Sequence, residues 1–294
     1  MNCLNILILN YNSSWETVEL FKTLEAFNLR DTEITVIDNA SIPKDRAYLK
    51  GQIPQENLIL NEVNIGYAGG NNIGIQLAIE RNFEFVLLIN PDIRLDKECI
   101  SSLLKTIEKD EKVGVIGPRI CYRKDPDLIF SDGGFVLEKK GYAAPHINYN
   151  KRINETTNPG VHEVDYVSGS CFMLSTKVVE AVGKLREDFF LYYEETEWCL
   201  RIRKYNKKCV VDSNVVAFLS PSIKNNNYHF YMTRNRLLLS RIERKNIFST
   251  HKILLNTVLQ EILRKLVKGK RPSSPTIAKA KGILFSFVIN IKTS

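Results

Sequence analysis

Short apolar runs alternate with segments of helical spacing along the first 120 residues of the chain. The apolar runs predict strands at residues 4–9, 33–37, 58–60, 83–89 and 113–116, and apolar residues at helical intervals predict helices at 15–27, 69–79 and 97–108. Strands and helices that alternate in this way form parallel sheets with helices on both faces. We therefore expect an α/β fold with a mostly parallel central sheet flanked by helices.

The pattern changes after this region. Residues 123–163 are polar and interrupted by Gly and Pro, which predicts an irregular excursion or a lid. Further strands are predicted at 164–167, 171–174 and 209–211, and helices at 177–182, 194–204, 228–245 and 251–267, before a last apolar segment at 277–291. We accordingly divide the chain into a domain at 1–223 and a helical extension at 224–294.

One strand end carries a candidate metal ligand. Residues 83–95 read FEFVLLINPDIRL, so that an apolar run stops at Asn90-Pro91-Asp92. Ligands of open α/β sheets bind beyond the carboxyl ends of the strands, and Mg²⁺ or Mn²⁺ binds carboxylate oxygens there together with phosphates. The sequence therefore predicts a metal site at Asp92, although Asn-Pro-Asp is also a good turn sequence without any ligand.

Polar residues follow the other predicted strands as well. These candidates for a nucleotide ligand are Asn10, Tyr11, Asn12, Asp38, Asn64, Gly69, Asn71 and Asn90. Tyr11 can stack on a base, and Asp38 can accept the N3–H of a uracil or thymine ring. Gly69 permits close backbone approach, and a helix starting near Asn71 would offer free N–H groups to a diphosphate. Each residue alone is also explained as a cap or a turn.

A second cluster of functional residues lies in FFLYYEETEWCLRIR, at residues 189–203. The aromatic residues predict an apolar surrounding for Glu194 and Glu195, and such a surrounding raises the pKa of a carboxylate towards the range of a general base. The alternative is that acids in a first helical turn only complement the helix dipole. Glu197 and Arg201 have the spacing of a structural ion pair. Gly169 and Ser170, in a tight loop upstream, together with Tyr193, could line the same cleft.

The motifs NYNSS, VIDNAS, NIGYAGGNN, LLINPDI, VSGSCFML, FFLYYEETEWCLRIR and YMTRNRL occur in this order over residues 4–240. In this the chain resembles the family 2 glycosyltransferases, in particular the bacterial rhamnosyltransferase-like branch. The resemblance implies a GT-A fold, an inverting mechanism, a nucleotide-diphosphate sugar donor and a divalent cation. By the same resemblance Asp38 reads the base, Asp92 binds the metal and Glu195 is the catalytic base.

Two positions depart from the family pattern. Glu195 stands where the family usually has Asp, and Phe218 stands where many relatives carry a His near the metal, which bears on metal dependence. Arg234 and Arg236 are candidates to neutralise the leaving diphosphate, because a guanidinium binds phosphate in a fork. Their alternative role is on a solvated helix face.

The charge of the chain is concentrated at its end. Residues 224–294 carry 15 Lys and Arg against two acids, a net charge of +13, whereas residues 1–223 carry a net −5. The extension also has an apolar stripe beside its basic residues, which predicts peripheral attachment to the inner face of the cytoplasmic membrane. The alternative is that the stripe packs against the body of the protein. Nucleic-acid binding would need aromatic and basic residues interleaved along a groove, and we do not expect it here.

These observations predict one activity and one alternative. The predicted activity moves a sugar from dTDP-rhamnose or a UDP-hexose to a saccharide acceptor in bacterial surface polysaccharide synthesis, and we expect this acceptor to be lipid-linked. The alternative is an inactive subunit that binds sugar nucleotides without turnover. The six cysteines are scattered without a metal or disulfide spacing, and the first residues show no secretory signal, so we expect a cytoplasmic protein.

Overall fold

The computed structural model describes residues 3–156, 160–221 and 223–289. Its strands are β1 (Leu4–Asn10), β2 (Thr32–Asp38), β3 (Leu58–Leu60), β4 (Phe85–Ile89), β5 (Ile93–Arg94), β6 (Val113–Tyr122), β7 (Asp125–Ser131), β8 (Val161–Val164), β9 (Cys171–Ser175) and β10 (Lys208–Leu219). Its helices are α1 (Ser14–Ala26), α2 (Pro43–Gln52), α3 (Gly66–Glu80), α4 (Lys97–Lys109), α5 (Thr176–Val182), α6 (Glu194–Lys204), α7 (Asn226–Ile242), α8 (Ile247–Leu266) and α9 (Ser274–Ser286).

The strands form one curled sheet of order β3-β2-β1-β4-β9-β6-β10-β5. Strands β3, β2, β1 and β4 are parallel, as the alternating pattern predicts. Strand β9 is antiparallel to both β4 and β6, and β10 runs parallel to β6. Strand β5 follows β4 in the chain but pairs with the far strand β10, so that the sheet curls back on itself. The predicted α/β fold is confirmed, with a sheet that is parallel in its first half and mixed in its second.

Both faces of the central strands are buried, which explains their apolar runs without alternation. On one face Ile6 and Ile8 of β1 pack in a core with Phe21 of α1. On the other face Leu7 packs in a second core with Ile75 of α3. The two cores hold the ends of β1, β2 and β4 at one edge of the sheet, and this edge carries the site.

Several predicted boundaries were wrong, and strand pairing explains most of them. Strand β6 does not stop at residue 116 but continues to Tyr122, because it pairs with β10 and β7. Pro118 is tolerated because it lies where the β6–β10 register is interrupted. Strand β10 is likewise longer than predicted, and the excursion at 123–163 contains β7 and part of β8. The strand predicted at 164–167 lies instead at Val161–Val164.

Helix α7 connects the C-terminal helices to the rest of the molecule. Leu238 and Leu239 on one face of α7 pack with Phe189 and Tyr193, and Leu237 on another face packs with residues of α8 and α9. Among the described residues, no helix has the length and apolarity that a membrane span requires. The last residues of the apolar segment predicted at 277–291 lie outside the described part of the chain. The division at residue 223 stays a prediction.

Candidate active site

Two adjoining cavities open at the edge of the sheet where β1, β2 and β4 end. The first, which we call the strand-end cavity, has a volume of about 610 Å³, and its lining includes Tyr11, Asn39, Asn64, Asn90 and Asp92. The second, the acid-pair cavity, has a volume of about 390 Å³, and its lining includes Gly169, Ser170, Tyr193, Glu194 and Glu195. Tyr67, Asn90 and Leu191 line both cavities. The structure therefore brings the predicted metal ligand and the predicted base to two sides of one shared wall.

The acid pair, Glu194 and Glu195, begins helix α6. Glu194 is 4% exposed, and its Oε2 has no hydrogen-bond partner within the described residues. Burial and the neighbouring Glu195 charge raise the pKa of Glu194 well above its ordinary value. Burial also raises the pKa of Glu195, while a hydrogen bond from Thr196 opposes the rise. Carboxylates with a raised pKa inside a cavity have the properties of general bases.

Helix α6 is preceded by an unusual turn at residues 189–193, which we call the aromatic turn. Phe190, Tyr192 and Tyr193 have φ values of 62°, 68° and 74°. This left-handed conformation costs a bulky residue on the order of 1–3 kcal/mol, and it persists only where the surroundings impose it. The hydroxyl of Tyr193 donates to the carbonyl of Tyr142 at 2.8 Å. The acid pair thus follows directly on a strained segment that the rest of the fold holds in place.

Arg234 and Arg236 line neither the strand-end cavity nor the acid-pair cavity. The Arg234 guanidinium donates to the carbonyls of Asp188 and Phe189 in the backbone leading into α6. The Arg236 guanidinium donates to the carbonyls of Gly141 at 2.6 Å and Lys140 at 2.8 Å. Their predicted contact with a diphosphate is therefore not available in this structure, because backbone acceptors already occupy the forks.

Asp38 lies inside the protein rather than on a cavity wall. It is 0% exposed, and its Oδ1 accepts from the Asn10 amide at 2.8 Å. Its Oδ2 lies 3.3 Å from the Nε of Arg46 and accepts from the backbone N–H of Ser41. A base could reach this carboxylate only after these groups move. Asp38 and Asn10 instead tie the ends of β1 and β2 together.

The remaining residues predicted after β1 have different surroundings. The Oδ1 of Asn12 accepts from the N–H of Ile42 at 2.9 Å, so Asn12 also joins the loops after β1 and β2. Tyr11, between Asn10 and Asn12, is half exposed and lines the strand-end cavity. Of these three residues, only Tyr11 has a side chain available to a ligand in that cavity, because those of Asn10 and Asn12 are engaged with the loop after β2.

Sequence reasoning missed the role of Asn39. Its Nδ2 donates to the Oδ1 of Asn64 and to the carbonyl of Gly66, and its Oδ1 accepts from the N–H of Ile65. One amide therefore fixes the loop that leads into α3 and the Asn64 side chain at the cavity. The position in VIDNAS, directly after a buried strand, was the available signal.

Helix α3 does not offer a diphosphate the free N–H groups that were expected near Asn71. The helix begins at Gly66 rather than near Asn71, and its first N–H groups donate to Asn64 Oδ1 and to the carbonyl of Phe190. Asn71 is buried inside the helix, where it donates to the carbonyl of Tyr67. Gly69 lies in the first turns, where an added Cβ would lie 3.0 Å from Ile65. Neither Asn71 nor Gly69 is brought to the strand-end cavity wall.

Asp92 is half-buried in the strand-end cavity, and burial raises its pKa to about 6. The Glu16 charge raises the pKa further, whereas Arg94 and Arg123 oppose the shift. The described residues contain no group of three His, Cys, Asp or Glu side chains that could enclose a metal ion. Phe218 lies on β10 opposite Arg94, where it supplies no ligand atom. The donor set fits a cation that one carboxylate shares with phosphate and water, and does not fit a cage made by protein alone.

A family model and two relatives found by sequence comparison agree with one another. The chain matches the model described as Glycosyl transferase family 2 over residues 5–183. It is 33% identical to the low-salt glycan biosynthesis hexosyltransferase Agl10 of Haloferax volcanii, over 81% of this chain and 75% of that protein. It is 26% identical to the dTDP-rhamnosyl transferase RfbF of Shigella flexneri, over 65% of this chain and 58% of that protein.

Solved structures share the fold. The mannosyltransferase PcManGT from Pyrobaculum calidifontis, in complex with GDP-Man and Mn²⁺, matches with a TM-score of 0.58 and 11% identity, over 97% of this chain and 86% of that chain. GalNAc-T7 with UDP, GalNAc and Mn²⁺ matches with a TM-score of 0.58 and 16% identity, over 79% of this chain and 48% of that chain. The expected GT-A fold is thereby confirmed.

Proposed function

Because the chain belongs to glycosyl transferase family 2, we propose that it transfers a hexose or a rhamnose from a nucleotide diphosphate to a saccharide acceptor with inversion. Membership confirms the resemblance seen in the motifs, and the protein is a glycosyltransferase. The names of the relatives, a hexosyltransferase and a dTDP-rhamnosyl transferase, support a hexose or a rhamnose as the transferred sugar. We take dTDP-rhamnose or a UDP-hexose as the donor. The name of the first relative also supports a role in glycan biosynthesis, and we propose that the glycan is a surface polysaccharide.

One observation carries this proposal: the two cavities meet at the wall made by Tyr67, Asn90 and Leu191. We assign the nucleotide-diphosphate sugar to the strand-end cavity, where Tyr11 offers a stacking surface and Asn64 and Asn90 offer polar contacts. We assign the acceptor to the acid-pair cavity, where Gly169 and Ser170 line one side. The sugar that is transferred then lies at the shared wall, between Asp92 and Glu195.

The reaction needs one proton acceptor and one leaving group. A hydroxyl of the acceptor attacks the anomeric carbon, Glu195 takes the hydroxyl proton, and the bond from the anomeric carbon to the diphosphate oxygen breaks. Burial raises the pKa of Glu195, which makes its carboxylate a stronger base for this step. Glu194, whose buried Oε2 has no hydrogen-bond partner in the described part of the chain, would form a hydrogen bond with a second hydroxyl of the same sugar.

A divalent cation fits this site as a companion of the donor. Asp92 would hold it together with the diphosphate oxygens, and when bound it would neutralise charge on the leaving diphosphate. The Mn²⁺ found in the structures of PcManGT and GalNAc-T7 supports this assignment. Because Phe218 has no ligand atom, Asp92 would be the ligand that the protein supplies. The affinity for the cation should therefore depend on the bound nucleotide.

Peripheral membrane attachment is supported by an exposed apolar surface on the last two helices, which we call the helical surface. On α8 the exposed fractions are 46% at Leu259 and 59% at Leu263, and on α9 Leu284 is 67% exposed. Basic residues follow at the end of α8, among them Arg264 and Lys265. Apolar side chains beside cations match the interface of an anionic membrane. We propose that the protein binds the inner face of the cytoplasmic membrane and takes a lipid-linked acceptor.

The proposed function is tested with a panel of sugar nucleotides. Thermal shift with and without Mn²⁺ identifies the donor, and product formation with that donor and a lipid-linked saccharide tests transfer. We expect one donor to raise the melting temperature and to be consumed in an acceptor-dependent manner. The Phe218 departure favours one alternative, an inactive subunit, for which the donor would bind with no product under any condition.

A further inference from the structure

We infer that Asn235 is a positioning residue for the acid pair, because its amide fastens the aromatic turn from which α6 begins. This inference rests on the proposed function, in which Glu195 is the base. Asn235 lies in the middle of α7 and is 0% exposed. It touches neither of the two cavities, so it would act on the reaction only through the turn.

The contacts of Asn235 are concentrated on three backbone carbonyls. Its Nδ2 donates to the carbonyl of Tyr192 at 2.6 Å, to that of Leu191 at 2.8 Å and to that of Phe189 at 3.1 Å. Its Oδ1 accepts from the Nε of Arg234 at 2.7 Å, which orients the amide. Carbonyls that converge inside a protein need a donor between them, and a single amide supplies it here.

The neighbouring carbonyls of the segment also have partners. The Asp188 carbonyl accepts from Arg234, the Phe190 carbonyl accepts from the N–H of Tyr67 at 2.6 Å, and the Tyr193 carbonyl accepts from the N–H of Glu197. Every carbonyl from 188 to 193 therefore has a donor. The two amide hydrogens of Asn235 are shared among three of these carbonyls: those of Leu191 and Tyr192 depend on it, whereas that of Phe189 also accepts from Arg234 and from the N–H of Leu191. Removing its amide would release the part of the turn that holds Tyr192 and Tyr193 at positive φ.

A released turn would relax towards ordinary backbone angles and displace the first turn of α6. A displacement of about 1 Å at a reacting group can cost about 100-fold in rate. The expected defect is therefore mainly in kcat. Phe190 and Leu191 of the turn also line the strand-end cavity, so a small change in the KM for the donor is expected as well, while the cavity keeps its contributions from the ends of β1, β2 and β4. The fold itself keeps both of its main cores, which do not contain Asn235.

The test uses Asn235→Ala and Asn235→Asp in the full-length chain. The aspartate keeps the size and the acceptor for Arg234 but loses the donor to the carbonyls. Asn5→Ala is the matched control, since Asn5 is a buried amide on β1 that donates to Thr35 at a distance from the turn. Asn235→Ser keeps one shorter donor and serves if the alanine variant does not fold.

Two readouts separate positioning from general destabilisation. We expect amide hydrogen exchange at residues 187–196 to become faster in both Asn235 variants, and kcat to fall about 100-fold with the KM for the donor within a few fold. The control should keep parental kcat and parental exchange in this segment. Parental kcat and exchange in the Asn235 variants, or an equal loss in Asn5→Ala, would overturn the inference.

The two levels of proposal fail differently. If the parent protein turns over no donor, the proposed function is wrong. Hydrogen exchange at residues 187–196 needs no substrate, so it still tests whether Asn235 holds the aromatic turn in place. If the parent is active and Asn235→Ala is equally active, the function stands and the positioning role is wrong.

Discussion

The backbone N–H of Tyr67, in the first turn of α3, donates to the carbonyl of Phe190 in the aromatic turn at 2.6 Å. This hydrogen bond joins two segments that are more than a hundred residues apart in the chain. Tyr67 also donates through its hydroxyl to the carbonyl of Gly169 at 2.6 Å. One residue of the shared wall therefore touches both the turn before the acid pair and the Gly169 loop that lines the acid-pair cavity.

Gly66, next to Tyr67, is required by this arrangement. Its φ is +80°, and an added Cβ would overlap the carbonyl oxygen of Phe190. We expect Gly66→Ala to push the aromatic turn away and to reduce kcat by at least about tenfold, together with a loss of stability of about 1 kcal/mol or more. Kinetics and thermal unfolding measure the two effects.

The control for Gly66 lies in α2. An added Cβ at Gly51 would meet nothing within 4 Å, and the residue is helical. Gly51→Ala should therefore keep full activity and should be neutral or more stable, by up to about 1 kcal/mol. Equal activity of the two alanine variants would contradict the proposed contact between Gly66 and the turn.

The assignment of the catalytic base predicts a large loss in Glu195→Gln. A neutral amide cannot take the proton, so kcat should fall about 10²–10⁴-fold while donor binding persists. The parent should also lose activity on acidification at a pH above the ordinary carboxylate range, because burial raises the pKa of Glu195. Steady-state kinetics over a pH series measures both effects.

Glu180→Gln is the matched control, since Glu180 lies exposed on α5. It should have the parental rate and the parental pH profile. A Glu195→Gln enzyme of parental activity would remove Glu195 from the mechanism and leave Glu194 as the remaining acid of the pair.

The Asp92 carboxyl predicts a pH dependence of both stability and cation binding. Its pKa is raised from 3.8 to about 6, so the folded state disfavours the charged form. The resulting penalty is absent below pH 3.8 and complete above pH 6, and stability is lost as the pH rises through this window. Asp92→Asn should therefore melt higher than the parent at pH 8 and equally at pH 4.

The same titration limits the cation. A protonated carboxyl does not bind Mn²⁺, so the stabilisation by Mn²⁺ and nucleotide should weaken as the pH falls through about 6 and should be lost in Asp92→Asn. Thermal shift across pH measures it. Asp127→Asn, at an exposed acid of β7, is the control. Undiminished Mn²⁺ stabilisation in Asp92→Asn would place the cation elsewhere.

Membrane attachment predicts that charge on the helical surface abolishes binding. The double variant Leu259→Glu and Leu263→Glu should fail to float with vesicles containing phosphatidylglycerol, whereas the parent should float and should be released by salt. Tyr48→Glu with Tyr205→Glu changes exposed side chains of α2 and the end of α6, and should float like the parent. A parent that remains in the dense fraction would remove the membrane proposal.

Point variants are preferable to truncation after residue 246. Leu237 of α7 packs against Leu254, Val258 and Ile283 of the last two helices. Removing these helices would uncover buried apolar surface on α7, and the truncated chain could bind vesicles for that reason alone.

Local patterns were enough to predict the start of α6 and most elements of the first half, although α2 and the two-residue strand β5 were not predicted. The predicted ion pair between Glu197 and Arg201 is present at 2.9 Å, because it depends only on helical spacing. Asp92 and Glu195 were found because each follows a local signal, an apolar run that ends in Pro and an aromatic run that ends in acids. Whether they bind metal and accept a proton stays a prediction.

The residues whose surroundings differ from the predicted ones have partners that are distant in the chain. Arg234 has the chemistry of a phosphate ligand, but backbone carbonyls at 188 and 189 take its hydrogen bonds. Asp38 has the chemistry of a base reader, but Asn10 and Arg46 enclose it. The spacing of residues in a sequence does not determine which distant group a side chain will contact. The hydrogen bonds of Arg234 and the burial of Asp38 could therefore be seen only in the folded structure.

The direction of β9 has a consequence for how such a protein can change. Because β9 runs against β4, the loop before it, with Gly169 and Ser170, returns to the edge at which β4 ends. Under the proposed assignment, the nucleotide half of the cleft is built largely from loops that leave parallel strands, and the acceptor half includes a loop that enters an antiparallel one. Substitutions in that loop should then alter which sugar is extended without disturbing recognition of the activated one, so that the two preferences could evolve separately.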